Sequence, residues 1–274
     1  MRITAIMNLK GGTAKTVTAI NLAAIYARDY AERVLLVDAD SQANLTEFMC
    51  LRMPDGSASG GFADLLRGLR AGPISTKLDN VSILWADETL MALDVTAAGS
   101  GAADPMALAA YLDRKDVREI YDRVIIDCPP AFSAGAMAAL IAADEVVIPT
   151  KIDAFGIRGI PNLLEQIRNM KRINPDLEVA GVLPTMFYPT QEQRDAEAAL
   201  RKSLLTGYIP CFRHIRRSTK VDDSTFAQEA LIYSSPKSGA CQDYKIFARE
   251  LAEWARDPEP YWPGIATGTE GGEM

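Results

Sequence analysis

Two textures alternate along this chain. Short apolar runs of strand length are followed by longer stretches whose apolar residues recur at helical spacing. The runs Arg2–Asn8, Arg33–Asp38, Val81–Trp85, Arg123–Asp127, Glu145–Pro149 and Val179–Met186 predict strands. Polar residues scarcely alternate within them, as expected of strands buried on both faces of a parallel sheet. Helices are predicted at Thr16–Tyr30, Phe62–Leu69, Pro105–Tyr121, Ser133–Ala143, Gly159–Ile173, Thr190–Leu204 and Tyr244–Arg256. Pro105 falls in a first helical turn, where a missing N–H costs little. Tyr208–Pro210 reads as a further strand or a loop, and 54–61 and 97–104 as surface loops. The alternation implies an α/β fold, a doubly wound and mostly parallel sheet flanked by helices. Residues 1–256 are read as one domain. From 257 to 274, three prolines and four glycines predict a flexible tail.

Ligands of such sheets bind beyond the carboxyl ends of the strands. Three polar motifs stand there. Met7-Asn8-Leu9-Lys10-Gly11-Gly12-Thr13-Ala14-Lys15-Thr16 links the first strand to the first helix. Gly11 and Gly12 let backbone N–H groups turn toward an anion, and the new helix points its positive end at the same place. Lys15 can then reach β- and γ-phosphates, and the Thr16 hydroxyl can ligate Mg²⁺. Asp38-Ala39-Asp40-Ser41-Gln42-Ala43-Asn44 ends the second strand, and Asp127-Cys128-Pro129-Pro130 ends another. Asp127 stands where a magnesium-holding carboxylate ends a hydrophobic strand.

The first motif departs from G-x-x-x-x-G-K-[ST], because Leu9 and Ala14 occupy its two glycine positions. What remains, Lys-Gly-Gly-x-x-Lys-Thr with an early Lys10, resembles the deviant Walker A loop of the ParA/MinD family of dimeric P-loop ATPases. The resemblance extends over Arg2 to about Ala255 and is specific in the three motifs. It implies ATP and Mg²⁺ as ligands. Lys10, Gly11, Gly12, Thr13, Ala14, Lys15, Thr16 and Val17 would bind the nucleotide, with Lys10 reaching across to a partner's phosphates. Asp40 would place the attacking water, and Thr16, Asp38 and Asp127 would serve the metal. Asp-x-Pro-Pro resembles the γ-phosphate-sensing second switch. Gln42 and Asn44 either contact the switch or nucleotide or belong to a solvated loop. Met186, in a strand resembling the family's Gly-Val-Leu-x-Thr-Met, and Pro210, in Ile-Pro, would lie near the adenine. Three further departures are visible. Ser41 stands where proline is common, Val17 where a hydroxyl touches the α-phosphate, and Cys211 where arginine is common.

Net charge is −7, from 29 Lys and Arg against 36 Asp and Glu, so any DNA site must be a local patch. Arg201, Lys202, Arg213, Arg216, Arg217 and Lys220 form such a cluster, with no acid between 201 and 220. By resemblance to partition ATPases, Arg213, Arg216, Arg217 and Lys220 would contact DNA without reading bases. Four cysteines without C-x-x-C spacing and a single histidine exclude a zinc site of that kind. No signal peptide and no apolar run of membrane-spanning length occurs, which predicts a cytoplasmic, nucleoid-associated protein.

The resemblance implies an ATP-dependent segregation ATPase for a plasmid, chromosome or integrated mobile element. Its partners would be a second copy of the chain, nonspecific DNA and a ParB-like protein that triggers hydrolysis. The alternative is a MinD-like membrane-cycling ATPase, which needs a basic amphipathic C-terminal helix. The acidic, proline-broken 257–274 segment argues against that reading.

Overall fold

The computed structural model describes residues 1–50, 60–96 and 103–256. Most of the loops predicted at 54–61 and 97–104, and the tail at 257–274, lie outside the described residues. The elements follow in the order β1 (Arg2–Ile6), α1 (Lys15–Asp29), β2 (Val34–Asp38), α2 (Asn44–Met49), α3 (Phe62–Leu66), β3 (Ile74–Ser75), β4 (Val81–Leu84) and α4 (Thr89–Thr96). Then come α5 (Ala107–Leu112), α6 (Lys115–Ile120), β5 (Arg123–Asp127), α7 (Ala134–Ala142), β6 (Glu145–Lys151), α8 (Ala154–Met170) and β7 (Glu178–Thr185). The described chain ends with α9 (Gln191–Thr206), α10 (Thr219–Phe226), α11 (Leu231–Ser234) and α12 (Gly239–Trp254).

The sheet order is β3-β4-β2-β5-β1-β6-β7, parallel except where β3 pairs antiparallel with β4. Alternate side chains of each strand enter opposite apolar layers. Leu35, Val37, Val124 and Ile126 pack with α7 and α8 on one face, while Leu36 and Ile125 pack with α1 and α12 on the other. Burial on both faces is why the strand runs are continuously apolar. In the central strands, Ile6, Asp38 and Asp127 share one register level, since Ile6 pairs Asp127 and Asp38 pairs Asp127. That level is the carboxyl edge, and the three sequence motifs begin on it.

Three helix predictions differ in instructive ways. α8 begins at Ala154 rather than Gly159, because Asp153 caps it by accepting a hydrogen bond from Gly156 N–H. Gly156, Gly159 and Pro161 read as breakers in sequence. Pro161 is tolerated inside α8, whose strongly one-sided apolar face packs on β6. The helix predicted over Pro105–Tyr121 is two, α5 and α6, parted at Asp113–Arg114. α12 likewise starts earlier than predicted, at Gly239, with Ser238 as its cap.

Candidate nucleotide-binding site

The phosphate loop turns through left-handed backbone at Gly12 (φ 70°) and Ala14 (φ 67°). Gly12 reaches that conformation without steric cost, whereas Ala14 reaches it as the N-cap of α1 with no side-chain cap. The first N–H groups of α1 are therefore left for a ligand. Cβ atoms built on Gly11 and Gly12 would meet nothing within 4 Å, so both face open space. That space is a cleft of about 610 Å³ lined by Gly11 through Val17, Asp40, Pro130 and Met186, with Ile215 through Ser218 and α10 closing the far wall.

Neighbouring strands hold the loop from below. Asn8 donates to Pro149 O at 2.7 Å and Thr150 Oγ1 at 3.3 Å, while its own Oδ1 accepts Lys10 N–H at 3.0 Å. Thr185 Oγ1 donates to Thr13 O at 3.1 Å. Lys15 folds back to donate to Lys10 O at 3.2 Å. Burial lowers the Lys15 pKa, opposed by the negative charges of Asp127 and Asp40. An ammonium that has lost water and faces an open cleft gains strongly from an incoming phosphate.

The two strand-end aspartates differ. Asp38 is fully engaged: Oδ2 accepts Thr46 N–H at 2.8 Å and Thr46 Oγ1–H at 2.7 Å, and Oδ1 accepts Asp40 N–H at 3.2 Å. Burial lifts its pKa to about 6 despite these donors. Asp127 is also buried, and its Oδ1 has no hydrogen-bond partner among the described residues. Burial first, then neighbouring Asp38, push its pKa well above the usual carboxylate range, while hydrogen bonding to Thr16 and the Lys15 charge pull it down. A buried, unpartnered carboxylate oxygen beside a threonine hydroxyl is an oxygen donor set suited to a hard divalent cation. The residues present thus fit magnesium at Thr16 and Asp127. Asp38 acts on that site by charge and by bracing the Asp40 loop.

Residues 1–179 match a protein family described as an AAA domain. The chain is 30% identical over 266 residues to the chromosome partitioning protein ParA of Caulobacter vibrioides, covering 94% of this chain and 96% of that one. It is 33% identical over 253 residues to the chromosome-partitioning ATPase Soj of Thermus thermophilus, covering 92% and 95%. The chain belongs to the ParA/Soj group of the ParA/MinD family of P-loop ATPases. Among solved structures, cobyrinic acid a,c-diamide synthase from Mycobacterium smegmatis with bound ADP and magnesium is 28% identical. Its TM-score is 0.75, covering 96% of this chain and 100% of that one. Apo McdA from Cyanothece, 24% identical, shares the fold with a TM-score of 0.78 over 92% of this chain and 99% of that one.

The fold of this ParA/Soj-type chain gathers most of the sequence-derived residues into one cleft and moves some out of it. Gly11 through Val17, Asp40, Gln42, Asn44 and Met186 line it. Lys10 does not; its ammonium lies on Asp153 at 2.9 Å. Pro210 also stands outside the cleft lining: it lines a separate groove with Arg201, His214 and Trp254, and its carbonyl accepts Val182 N–H at 2.9 Å as an added strand edge. Ile215, Arg217 and Val221 line the cleft as well. The basic cluster is also divided. Arg216 is bound through both guanidinium edges to buried Asp243, at 2.6 and 2.8 Å, and Arg201 to Glu197. Arg213, Arg216, Arg217 and Lys220 are all exposed, Arg216 lying over Asp243 and Lys220 beside Asp223 at 2.9 Å. The acid-free stretch meets its acids just beyond its ends, within α9 and α10, and for Arg216 through the tertiary contact with Asp243.

The Asp38 brace makes two expected results. Thr46→Val removes one donor to Asp38 and the acceptor of buried Ala86 N–H. It should cost about 2 kcal/mol, read as a lower urea midpoint at unchanged m. Because the Asp38 pKa is raised on folding, folded protein binds this proton more tightly than unfolded. Its contribution to stability is present at low pH and is lost as pH rises from about 4 to about 6. Nucleotide-free, magnesium-free protein should show that decline, and Asp38→Asn should show less of it in urea melts across the window.

Proposed function

We propose that this chain is a segregation ATPase whose ATP-bound form is a sandwich dimer that holds duplex DNA without reading its sequence. The observation that supports this most directly is the direction of Lys10. It belongs to the phosphate loop yet turns away from the cleft of its own subunit. A loop lysine that does not serve its own cleft is suited to serve a facing one. ParA and Soj relatives of matching length, named for chromosome partitioning, support the same reading.

In this reading the loop N–H groups and Lys15 bind the β- and γ-phosphates, and Thr16 and Asp127 hold magnesium. Magnesium, when bound, supplies positive charge against the phosphate oxygens. Asp40, at the cleft edge beside Pro130, orients a water in line with the γ-phosphorus and takes up its proton as the phosphorus–oxygen bond forms and ADP leaves. Lys10 of the facing subunit completes the positive surround. The Met186 and Ile215 wall packs the base. Val17 offers the α-phosphate only its backbone N–H, a loss of about 1 kcal/mol against a hydroxyl.

DNA contact falls to Arg213, Arg217 and Lys220, while Arg216 serves the fold through Asp243. A ParB-like partner would trigger hydrolysis and release, and the protein would work on the nucleoid in the cytoplasm. Among the described residues no helix is long and apolar enough to cross a membrane.

An ATPase assay with and without duplex DNA tests the reading, and stimulation by DNA is expected. Turnover indifferent to DNA, with no DNA retained by the ATP form, would favour a metabolic role on the same fold. Arg213→Glu combined with Lys220→Glu should weaken DNA retention about tenfold or more and lower the salt slope by about two. Retention unchanged in filter binding would move the DNA surface elsewhere.

A further inference from the structure

We propose that Asp153 holds Lys10 in reserve in the isolated subunit, and that ATP-driven pairing of two subunits draws Lys10 off this carboxylate. The proposal rests on the dimer reading above and assigns a positioning residue to it.

Lys10 Nζ lies 2.9 Å from Asp153 Oδ1 and 3.3 Å from Oδ2. The loop that carries Lys10 is already fixed. Its N–H is held by Asn8 and its carbonyl by Lys15. Release therefore needs no rearrangement of the phosphate loop, only a swing of the four-carbon side chain. Asp153 is fixed too, because the same Oδ1 accepts Gly156 N–H at 2.7 Å and caps α8.

A second cation stands ready. Lys151 Nζ is 3.3 Å from Asp153 Oδ2. When Lys10 leaves, the carboxylate keeps one ammonium and the helix cap, so it is not left bare. The pair with Lys10 is about one-third exposed on both sides, 37% and 28%. Ion pairs of that exposure are weak enough to be exchanged for a triphosphate and strong enough to bias a side chain. Burial raises the Asp153 pKa, but donors from Lys10, Gly156 and Lys151 outweigh it and bring it to about 2, so the latch stays charged at neutral pH. Phe155, 75% exposed and 5.7 Å by its ring from Lys10 Nζ, adds an apolar surface on the same side.

Asp153→Asn separates latch from cap, since asparagine caps helices as well as aspartate does. Two measurements test it. In nucleotide-free protein, an amine-acylating reagent should label Lys10 about threefold faster in Asp153→Asn than in wild type, because the side chain is no longer held against a carboxylate. With magnesium and a non-hydrolysable ATP analogue, sedimentation should show the variant dimerising about fivefold more tightly, as two latches are relieved per dimer. That gain should vanish when Lys10→Ala is present in both proteins, which a purely structural role of Asp153 would not produce. Equal labelling rates, or a gain that persists without Lys10, would overturn the proposal. If wild type never dimerises while labelling still responds to Asp153→Asn, the dimer reading fails and the hold on Lys10 stands by itself. If both responses are absent, the hold fails as well.

Discussion

Lys15→Ala should lose nucleotide binding, with affinity falling about a hundredfold or more. The residue is only 8% exposed, and burial lowers its pKa. It is also the cleft-lining cation within the loop, because Lys10 faces Asp153 instead. A desolvated cation paired to phosphate is worth far more than a surface pair, and removing one partner of such a pair typically costs 2–5 kcal/mol. The change should not unfold the protein. Alanine is favourable in the first turn of α1, and the loop keeps its anchors from Asn8 and Thr185. A titration with a fluorescent ATP analogue checks this, with far-ultraviolet circular dichroism as the control. Binding at wild-type affinity in a folded variant would remove Lys15 from the site.

Much of this site was legible because its parts are local in sequence. The phosphate loop, the Asp38–Asn44 turn and the Asp127–Pro130 turn are each contiguous, and each follows an apolar strand of five residues. Position on the carboxyl edge then follows from parallel topology alone. What sequence could not supply are partners far apart in the chain. Asp38 was expected to serve the metal, and only the fold brings Thr46 around to its carboxylate. Arg216 looked like a surface cation, and only the return of α12 sets Asp243 beneath it. Asp153 lies in Lys151-Ile152-Asp153, which carries no motif, yet it meets Lys10 because β6 runs beside β1. Asn8 was available as a polar residue ending an apolar strand, a signal that could have marked it as a loop anchor.

The short and irregular elements were lost for another reason. β3 has two residues and α11 four, too few for any period to register. α10 matters more, since Val221, Asp222 and Thr225 close the cleft. Apart from Val221 and Phe226 its sequence is polar, and the helix is defined by Ser218, whose side-chain oxygen accepts Lys220 N–H as a cap, and by packing of α10 against α11. The basic cluster therefore ends in a helix that forms part of the nucleotide cleft. Arg217 lines that cleft, so its charge faces the nucleotide space.

Asp40→Ala should trap the ATP-bound dimer. Asp40 follows buried β2 and sits at the cleft edge, half-buried, with Oδ1 accepting Gln42 N–H at 3.0 Å. It makes no contact with Lys15 or Thr16 that holds them in place, so the phosphate cradle survives its removal. The metal donors survive as well, because Thr16 and Asp127 lie on α1 and β5. Loss of Asp38's third hydrogen bond is not expected either, since Asp40 donates it from backbone N–H. What disappears is the carboxylate that can receive a proton from water, and a lost general base typically lowers turnover by about 10²- to 10⁴-fold. Binding kept and turnover lost means that the bound state accumulates. Size-exclusion with ATP and Mg²⁺ should show a persistent Asp40→Ala dimer where wild type returns to monomer as ATP is consumed. The trapped dimer should retain duplex DNA in a salt-sensitive way. A variant that binds ATP, fails to hydrolyse it and stays monomeric would refute the sandwich dimer while leaving the assignment of Asp40 intact. A variant that hydrolyses at the wild-type rate would transfer the water-placing role to another group on the same edge.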